Sequence, residues 1–277
     1  MTVPIAQVKK GDLFVVRPGE NIPCLLYTST ESRGADELYE AEGIIAQSEA
    51  NATRLFGTAH TYYSTEGSSQ CIRAMLCLAM QGAPRTGKRP VLLAARNAHK
   101  ALLYAAALLD FDIRWLWPAP EDTGALCSCP VTVQALSAAL EELAGQERAP
   151  FGVYLTSPDY LGGTQDIAAL SAVCDAHGVP LLVDNAHGAY LRFLPGGSRH
   201  PIDLGAAACC DSGHKTLPVL TGGAYLHLGP KAPVQEESTD VYKRQAGGMP
   251  RAQSSARAAS SRAMSSAGFS GVNISTR

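Results

Sequence analysis

The stretch Pro180-Leu181-Leu182-Val183-Asp184-Asn185-Ala186-His187-Gly188 decides how the rest of the chain is read. An aliphatic run with no polar interruption predicts a short strand, Pro180 to Asp184, covered on both faces. It ends on a carboxylate. A buried carboxylate is costly unless it is paired. Asp184 either bonds to loop amides, as is common at strand ends, or meets a cation that a ligand brings.

Outward from this strand, helix and strand patterns alternate from about Thr30 to Leu228. Helices are expected over Asp36–Phe56, Ser69–Met80, His99–Leu109, Val131–Ala144 and Ile167–His177. Strands are expected over His60–Ser64, Val91–Ala95, Ile113–Trp117, Gly152–Thr156, Ala206–Cys210 and Gly223–Leu228. Such alternation predicts an α/β fold, a mostly parallel sheet with helices on both faces. Ligands on these sheets sit at the carboxyl ends of the strands. Asp184, Ser157 and the turn at Gly67 all fall there.

Two further stretches carry chemistry. Ser212-Gly213-His214-Lys215-Thr216 follows a predicted strand and holds a lysine among small residues. Most lysines are solvated surface charges. One that forms an imine needs its amine deprotonated part of the time, which burial and nearby cations favour. Thr65-Glu66-Gly67-Ser68-Ser69 precedes the apolar helical face Ile72, Met75, Leu76 and Ala79. A Gly-Ser-Ser helix start offers free N–H groups, hydroxyls and the positive end of the dipole to a phosphate, although simple capping is commoner. An imine-forming amine, a strand-end carboxylate and a phosphate turn are what pyridoxal 5'-phosphate requires. Ser212 and His214 can donate to the phosphate. His187 can lie against the ring or its phenolic oxygen, or be a hydrogen-bonded core histidine. His99, in Arg96-Asn97-Ala98-His99-Lys100, can lie flat on the ring or simply start a helix.

Composition excludes other classes. The 277 residues are 46% hydrophobic and 17% charged, with net charge −2. This suits a globular protein that acts on a small molecule, with no nucleic-acid partner. No apolar run reaches membrane-spanning length. The N-terminus lacks a signal-peptide core. The eight cysteines therefore read as reduced thiols of a cytoplasmic protein. Cys127-Ser128-Cys129 and Cys209-Cys210 lack a second ligand pair at zinc spacing, and no metal is expected.

Five ordered strings resemble the major domain of the ornithine/lysine/arginine decarboxylase family. They are Tyr63-Ser64-Thr65-Glu66-Gly67-Ser68-Ser69, Arg96-Asn97-Ala98-His99-Lys100, Leu155-Thr156-Ser157-Pro158-Asp159-Tyr160, Val183-Asp184-Asn185-Ala186-His187-Gly188 and Ser212-Gly213-His214-Lys215-Thr216-Leu217-Pro218. Gly34-Ala35-Asp36-Glu37-Leu38-Tyr39 and Thr221-Gly222-Gly223-Ala224 add to the likeness. The resemblance implies the large domain of the fold type I, or aspartate aminotransferase, class of pyridoxal-phosphate enzymes. It implies α-decarboxylation of lysine, arginine or ornithine to a polyamine or agmatine. Transamination on the same fold is the alternative. By the same resemblance Lys215 carries the cofactor and Asp184 pairs with its pyridine nitrogen. His99 stacks on the ring and His187 lies beside it. Gly67, Ser68, Ser69, Ser212 and His214 hold the phosphate. A homodimer or higher assembly of the parent is implied. Asn185 stands where the family usually has Glu, Gly213 where it has Thr, and Glu66 where Asn is commoner.

The flanks break the pattern. Residues 1–23 resemble a β-rich stretch of the actuator domain of P-type ATPases, without that family's other motifs. Residues 246–277 are rich in Ser, Ala and Arg, lack a usable period and read as a disordered tail. Between them and the core lie Cys24-Leu25-Leu26-Tyr27-Thr28-Ser29 and Asp240-Val241-Tyr242-Lys243-Arg244-Gln245. These hexapeptides can be encoded by opposite strands of one duplex, offset by a base, that resembles a transposon end used in sequencing libraries. The expectation is a chimeric translation in which 30–239 is the truncated cofactor domain and 24–29 and 240–245 are adapter. Such a polypeptide is expected to have little or no activity of its own.

Overall fold

The computed structural model describes Leu38 and residues 43–83, 87–124 and 126–233. The foreign segment, both hexapeptides and the tail expected from the sequence lie outside these residues, as does most of the expected helical lead-in before Ile44. Backbone contacts set residues 46–246 apart from a second unit of residues 1–45 and 247–277.

Chain order is α1 (Ile44–Phe56), β1 (His60–Ser64), α2 (Ser68–Gly82), β2 (Val91–Ala95), α3 (Lys100–Leu109), β3 (Asp112–Leu116) and α4 (Val133–Gly145). Then come β4 (Val153–Thr156), α5 (Ile167–Ala176), β5 (Leu181–Asp184), β6 (Ala208–Asp211), α6 (Gly213–Thr216) and β7 (Ala224–Leu228). Short 3-10 turns lie at Pro120–Asp122 and Ala189–Phe193. The seven strands form one sheet in the order β1-β7-β6-β5-β4-β2-β3. The pairs from β6 through β3 are parallel. β7 runs antiparallel to both β6 and β1. The expected mostly parallel sheet is therefore present, in the fold type I arrangement.

The central strands are buried except at Thr156, the last residue of β4, and their side chains alternate between two cores. Leu92, Ala94, Tyr154, Leu182 and Cys210 pack beneath α2 and α3, with Ile72, Met75, Leu76 and Leu102. Leu93, Ala95, Val153, Leu155, Val183 and Cys209 pack beneath α4 and α5, with Leu136, Leu140, Ile167 and Leu170. Two buried faces explain why these strands read as continuous apolar runs. Caps set the helix starts. Thr132 accepts from Ala135 N–H and Asp166 from Ala169 N–H. His99 accepts from Ala101 N–H at 3.2 Å, so it precedes α3 as its cap and does not form its first turn.

Candidate active site

β2, β4, β5 and β6 end at one edge of the sheet, at Ala95, Thr156, Asp184 and Asp211. β1 ends there too, because β7 reverses direction between β6 and β1. The Gly67 turn after β1, the Asn185–Gly188 turn after β5 and the Lys215 segment after β6 thus share an edge.

Asp184 is only 2% exposed. It continues the alternation of Leu182 and so faces the α2/α3 side. One carboxylate oxygen accepts from the Tyr154 hydroxyl at 3.0 Å. The other accepts from Ala186 N–H at 3.2 Å. Burial, with the charge of Asp184 beside it, pushes the Tyr154 phenol well up, so it stays a donor. Among the described residues no cation pairs with Asp184. The neutral donors satisfy its oxygens but leave the charge open to a ligand's cation.

Lys215 lies on α6 with its side chain exposed, and its Nζ is 3.1 Å from His187 Nε2. Burial, then the charge of Lys215, holds the His187 pKa below its ordinary 6.5. His99 also lies close enough for its charge to act on His187. A neutral His187 that accepts from Lys215 at Nε2 carries its proton on Nδ1, and that atom is buried without a partner. Tyr160 meets the His187 ring edge-on at 5.5 Å.

Gly67 caps α2 without a side chain, and a Cβ on it would meet nothing within 4 Å. The first-turn N–H groups of Ser68 and Ser69 have no acceptor within the helix and lie at the positive end of its 15 residues. The Ser212 hydroxyl donates to Ser68 Oγ at 2.7 Å, which joins the two expected phosphate segments. Gly67 N–H donates to Gly222 O at 2.9 Å. His214 Nδ1 donates to Gly223 O at 3.2 Å, so only Nε2 is left to face a phosphate, and it donates there only when the ring is protonated.

Five buried side-chain polar atoms among the described residues lack a hydrogen-bond partner: Asn97 Oδ1, Thr156 Oγ1, Asn185 Oδ1, His187 Nδ1 and His200 Nδ1. The first four sit at or just beyond the carboxyl ends of β2, β4 and β5. Native proteins leave few such groups unsatisfied, and a cluster of them marks where a polar ligand is received. A charged carboxylate, a helix start with free N–H groups and a lysine at the same edge fit pyridoxal 5'-phosphate.

Sequence reasoning missed one group. Asp211 is fully buried. It accepts from Asn185 Nδ2 at 2.5 Å, His200 Nε2 at 3.1 Å and His227 Nε2 at 3.2 Å. The predicted strand stopped at Cys210, one residue short. An acid directly after an apolar run singled out Asp184, and the same signal stood at Asp211. Cys209, 3.8 Å from His200 Nε2, shares this cluster, whose His200, Cys209 and Asp211 donor atoms lie within 4.8 Å of one another. Burial pushes the Cys209 thiol well up, as suits a buried thiol. All seven described cysteines are free.

These environments set an acid limit. Burial lowers the pKa of His227, although Asp211 partly opposes it, and lowers that of His187 as well. The folded protein then binds fewer protons than the unfolded chain just below pH 6.5. The urea midpoint is expected to hold above about pH 6.5 and to fall as the pH drops below it. For Asp211, burial alone would raise the pKa, but the two imidazoles more than offset this and hold it below the ordinary carboxylate range. Its contribution is lost only in stronger acid.

Gly188 ends the turn that carries His187, with its N–H on Asn185 O at 2.8 Å. A Cβ there would lie 2.1 Å from Asn185 Oδ1 and 2.6 Å from Pro158 Cδ. Gly188→Ala is expected to cost about 2 kcal/mol in urea denaturation, an overpacking penalty.

Fold and site together define a pyridoxal-phosphate-binding domain of fold type I. Residues 10–265 match the family model described as "Orn/Lys/Arg decarboxylase, major domain", and the chain belongs to that family, whose cofactor is pyridoxal 5'-phosphate. The uncharacterised protein YaaO of Bacillus subtilis is 28% identical over 79% of this chain and 44% of its own length. An arginine decarboxylase of Bacillus cereus is 27% identical over 70% of this chain and 40% of its own length. The chain thus spans less than half the length of these relatives. The constitutive lysine decarboxylase of E. coli shares the fold, with TM-score 0.60 and 23% identity over 77% of this chain and 30% of its own. Among the described residues no helix is long and apolar enough to cross a membrane.

Proposed function

We propose that this chain carries the cofactor domain of a decarboxylase that acts on a basic amino acid and releases a diamine or agmatine. The observation that carries this reading is the placement at one sheet edge of the buried Asp184 carboxylate, the Lys215–His187 pair and the Ser68–Ser212 bond. The names of the curated relatives favour arginine among the three substrates.

In this reading Lys215 holds the cofactor covalently and Ser68, Ser69, Ser212 and the Gly67 turn hold its phosphate. His214 supports the Ser212 segment through its bond to Gly223. Asp184 keeps a proton on the pyridine nitrogen, held in place by Tyr154 and Ala186 N–H. His187 accepts a hydrogen bond from the Lys215 amine through Nε2 and so orients that amine at the sheet edge. His99, fixed as a helix cap, packs against the ring. When bound, pyridoxal phosphate supplies the electron sink for the pair released as the carboxylate leaves. A homodimeric, cytoplasmic parent enzyme belongs to the same proposal.

The test is carbon dioxide release from arginine, lysine and ornithine by the protein encoded by the uninterrupted source gene. One basic amino acid should be consumed with equimolar carbon dioxide. A keto acid formed with no carbon dioxide would identify an aminotransferase instead.

We also infer that residues 1–29 and 240–277 have another origin than 30–239. The support is the paired hexapeptides at 24–29 and 240–245, each where the pattern of the chain changes. The family match runs across both, so the decision rests on source DNA. Amplification across either join should fail; a product that reads straight through would end the idea.

A further inference from the structure

Asp211 lies behind the sheet from the cofactor side. It continues the alternation of Cys209, which belongs to the α4/α5 core, whereas Cys210 faces α2 and α3 with Asp184. Every hydrogen bond around it has a fixed direction. His200 and His227 donate from Nε2, and Asn185 donates from Nδ2. With Nε2 of His227 protonated, its Nδ1 accepts from the Thr61 hydroxyl at 2.9 Å. Thr61 in turn meets Thr58 Oγ1 at 2.8 Å. A chain of bonds through β1, β7 and β6 thus ends on the side chain of Asn185.

Asn185 is the residue between Asp184 and the His187 turn. Its backbone N–H donates to Cys210 O at 3.0 Å and its carbonyl accepts from Gly188 N–H at 2.8 Å. Its amide fills the space against Gly188, which only glycine leaves open. Asp211 itself directly precedes Ser212 and the Lys215 segment. The Asn185–Asp211 bond is therefore a side-chain strut between the two loops that carry opposite ends of the site.

We propose that Asp211 is a positioning residue that acts through Asn185 to hold the Asp184 carboxylate in line with the pyridine nitrogen. The pair must be one acid and one amide. This accounts for Asn185, which stands where the family resemblance led us to expect Glu. With the carboxylate already on β6, a second one at 185 would place two buried charges about a hydrogen bond apart, which is strongly unfavourable.

The proposal rests on the cofactor reading above, and its test separates the two. The purified chain is titrated with pyridoxal phosphate and with its 1-deaza analogue, which has carbon in place of the ring nitrogen. The unmodified chain should prefer pyridoxal phosphate, since only that ring engages Asp184. Equal affinity, or no binding, would overturn the cofactor reading itself. In Asp211→Asn an amide donor faces either Asn185 or the two imidazoles, whichever way it turns. Affinity for pyridoxal phosphate should fall roughly tenfold and that for the deaza analogue should not change. The exchange variant Asn185→Asp/Asp211→Asn reverses only the bond between the two side chains and leaves both imidazoles donating to the oxygen at 211, and the preference should return. Asn185→Ala tests the same link without touching the imidazoles, should Asp211→Asn fail to fold. Parallel loss of both ligands would reduce Asp211 to a structural role, and an unaltered preference in Asn185→Ala would refute the strut.

Discussion

Lys215→Ala is expected to abolish the visible absorbance that the chain acquires with pyridoxal phosphate, and to leave the cofactor removable by simple dialysis. It should lower the decarboxylation rate of the whole enzyme by roughly a thousandfold or more. The Lys215 amine lies at this edge, and its partner His187 is 3.1 Å away. The variant should stay folded. Lys215 is exposed on α6, and among the described residues its side chain bonds to His187. Removing its positive charge also removes one cause of the lowered His187 pKa, which should rise toward 6.5. Absorbance scans with the cofactor, and NMR titration of the imidazole without it, read the two effects separately.

Asp184→Asn is expected to change binding and stability in opposite directions. The carboxylate is buried, and no cation pairs with it among the described residues. An amide of the same shape keeps the bond from Ala186 N–H and can donate to Tyr154 Oη, so the cofactor-free protein should gain about 1 kcal/mol in urea denaturation. Affinity for pyridoxal phosphate should meanwhile fall roughly a hundredfold, because the protonated ring nitrogen loses its counter-charge. Strain of this kind, a charge kept uncompensated until the ligand arrives, is a usual cost of function. A variant that is less stable and binds equally well would show that Asp184 is an ordinary loop anchor.

Much of this was legible in the residues. Val91–Ala95 and His60–Ser64 form strands over the expected residues, because a run of five aliphatic or β-prone residues between turn signals has few other uses. Long periodic helices were visible too, and their ends shifted by one or two residues where a side chain took a capping role, as at His99. The strand expected at Ile113–Trp117 slips by one residue to Asp112–Leu116 because Asp112 pairs with Val91 and its N–H meets Pro90 O. Local pattern does not encode such pairing. The antiparallel β7, the short α6 beneath Lys215 and the Asp211 cluster were hidden for the same reason. Asn185 and Asp211 are 26 positions apart and His227 lies further on, so only the folded sheet makes them neighbours. At the site the sequence pointed to Lys215, Asp184, His187 and Ser68 through their places at strand and helix ends. The bonds that join Lys215 to His187 and Ser212 to Ser68 needed the structure.

The most direct measurement is covalent trapping. The chain is incubated with pyridoxal phosphate, reduced with borohydride, digested and mapped by mass spectrometry. The account predicts a stoichiometric pyridoxyl label on the peptide carrying Lys215, lost when Asp184 or the Ser68-Ser69 pair is altered to Ala. A label spread over surface lysines such as Lys88 and Lys100, or one on Lys215 that ignores those changes, would contradict it.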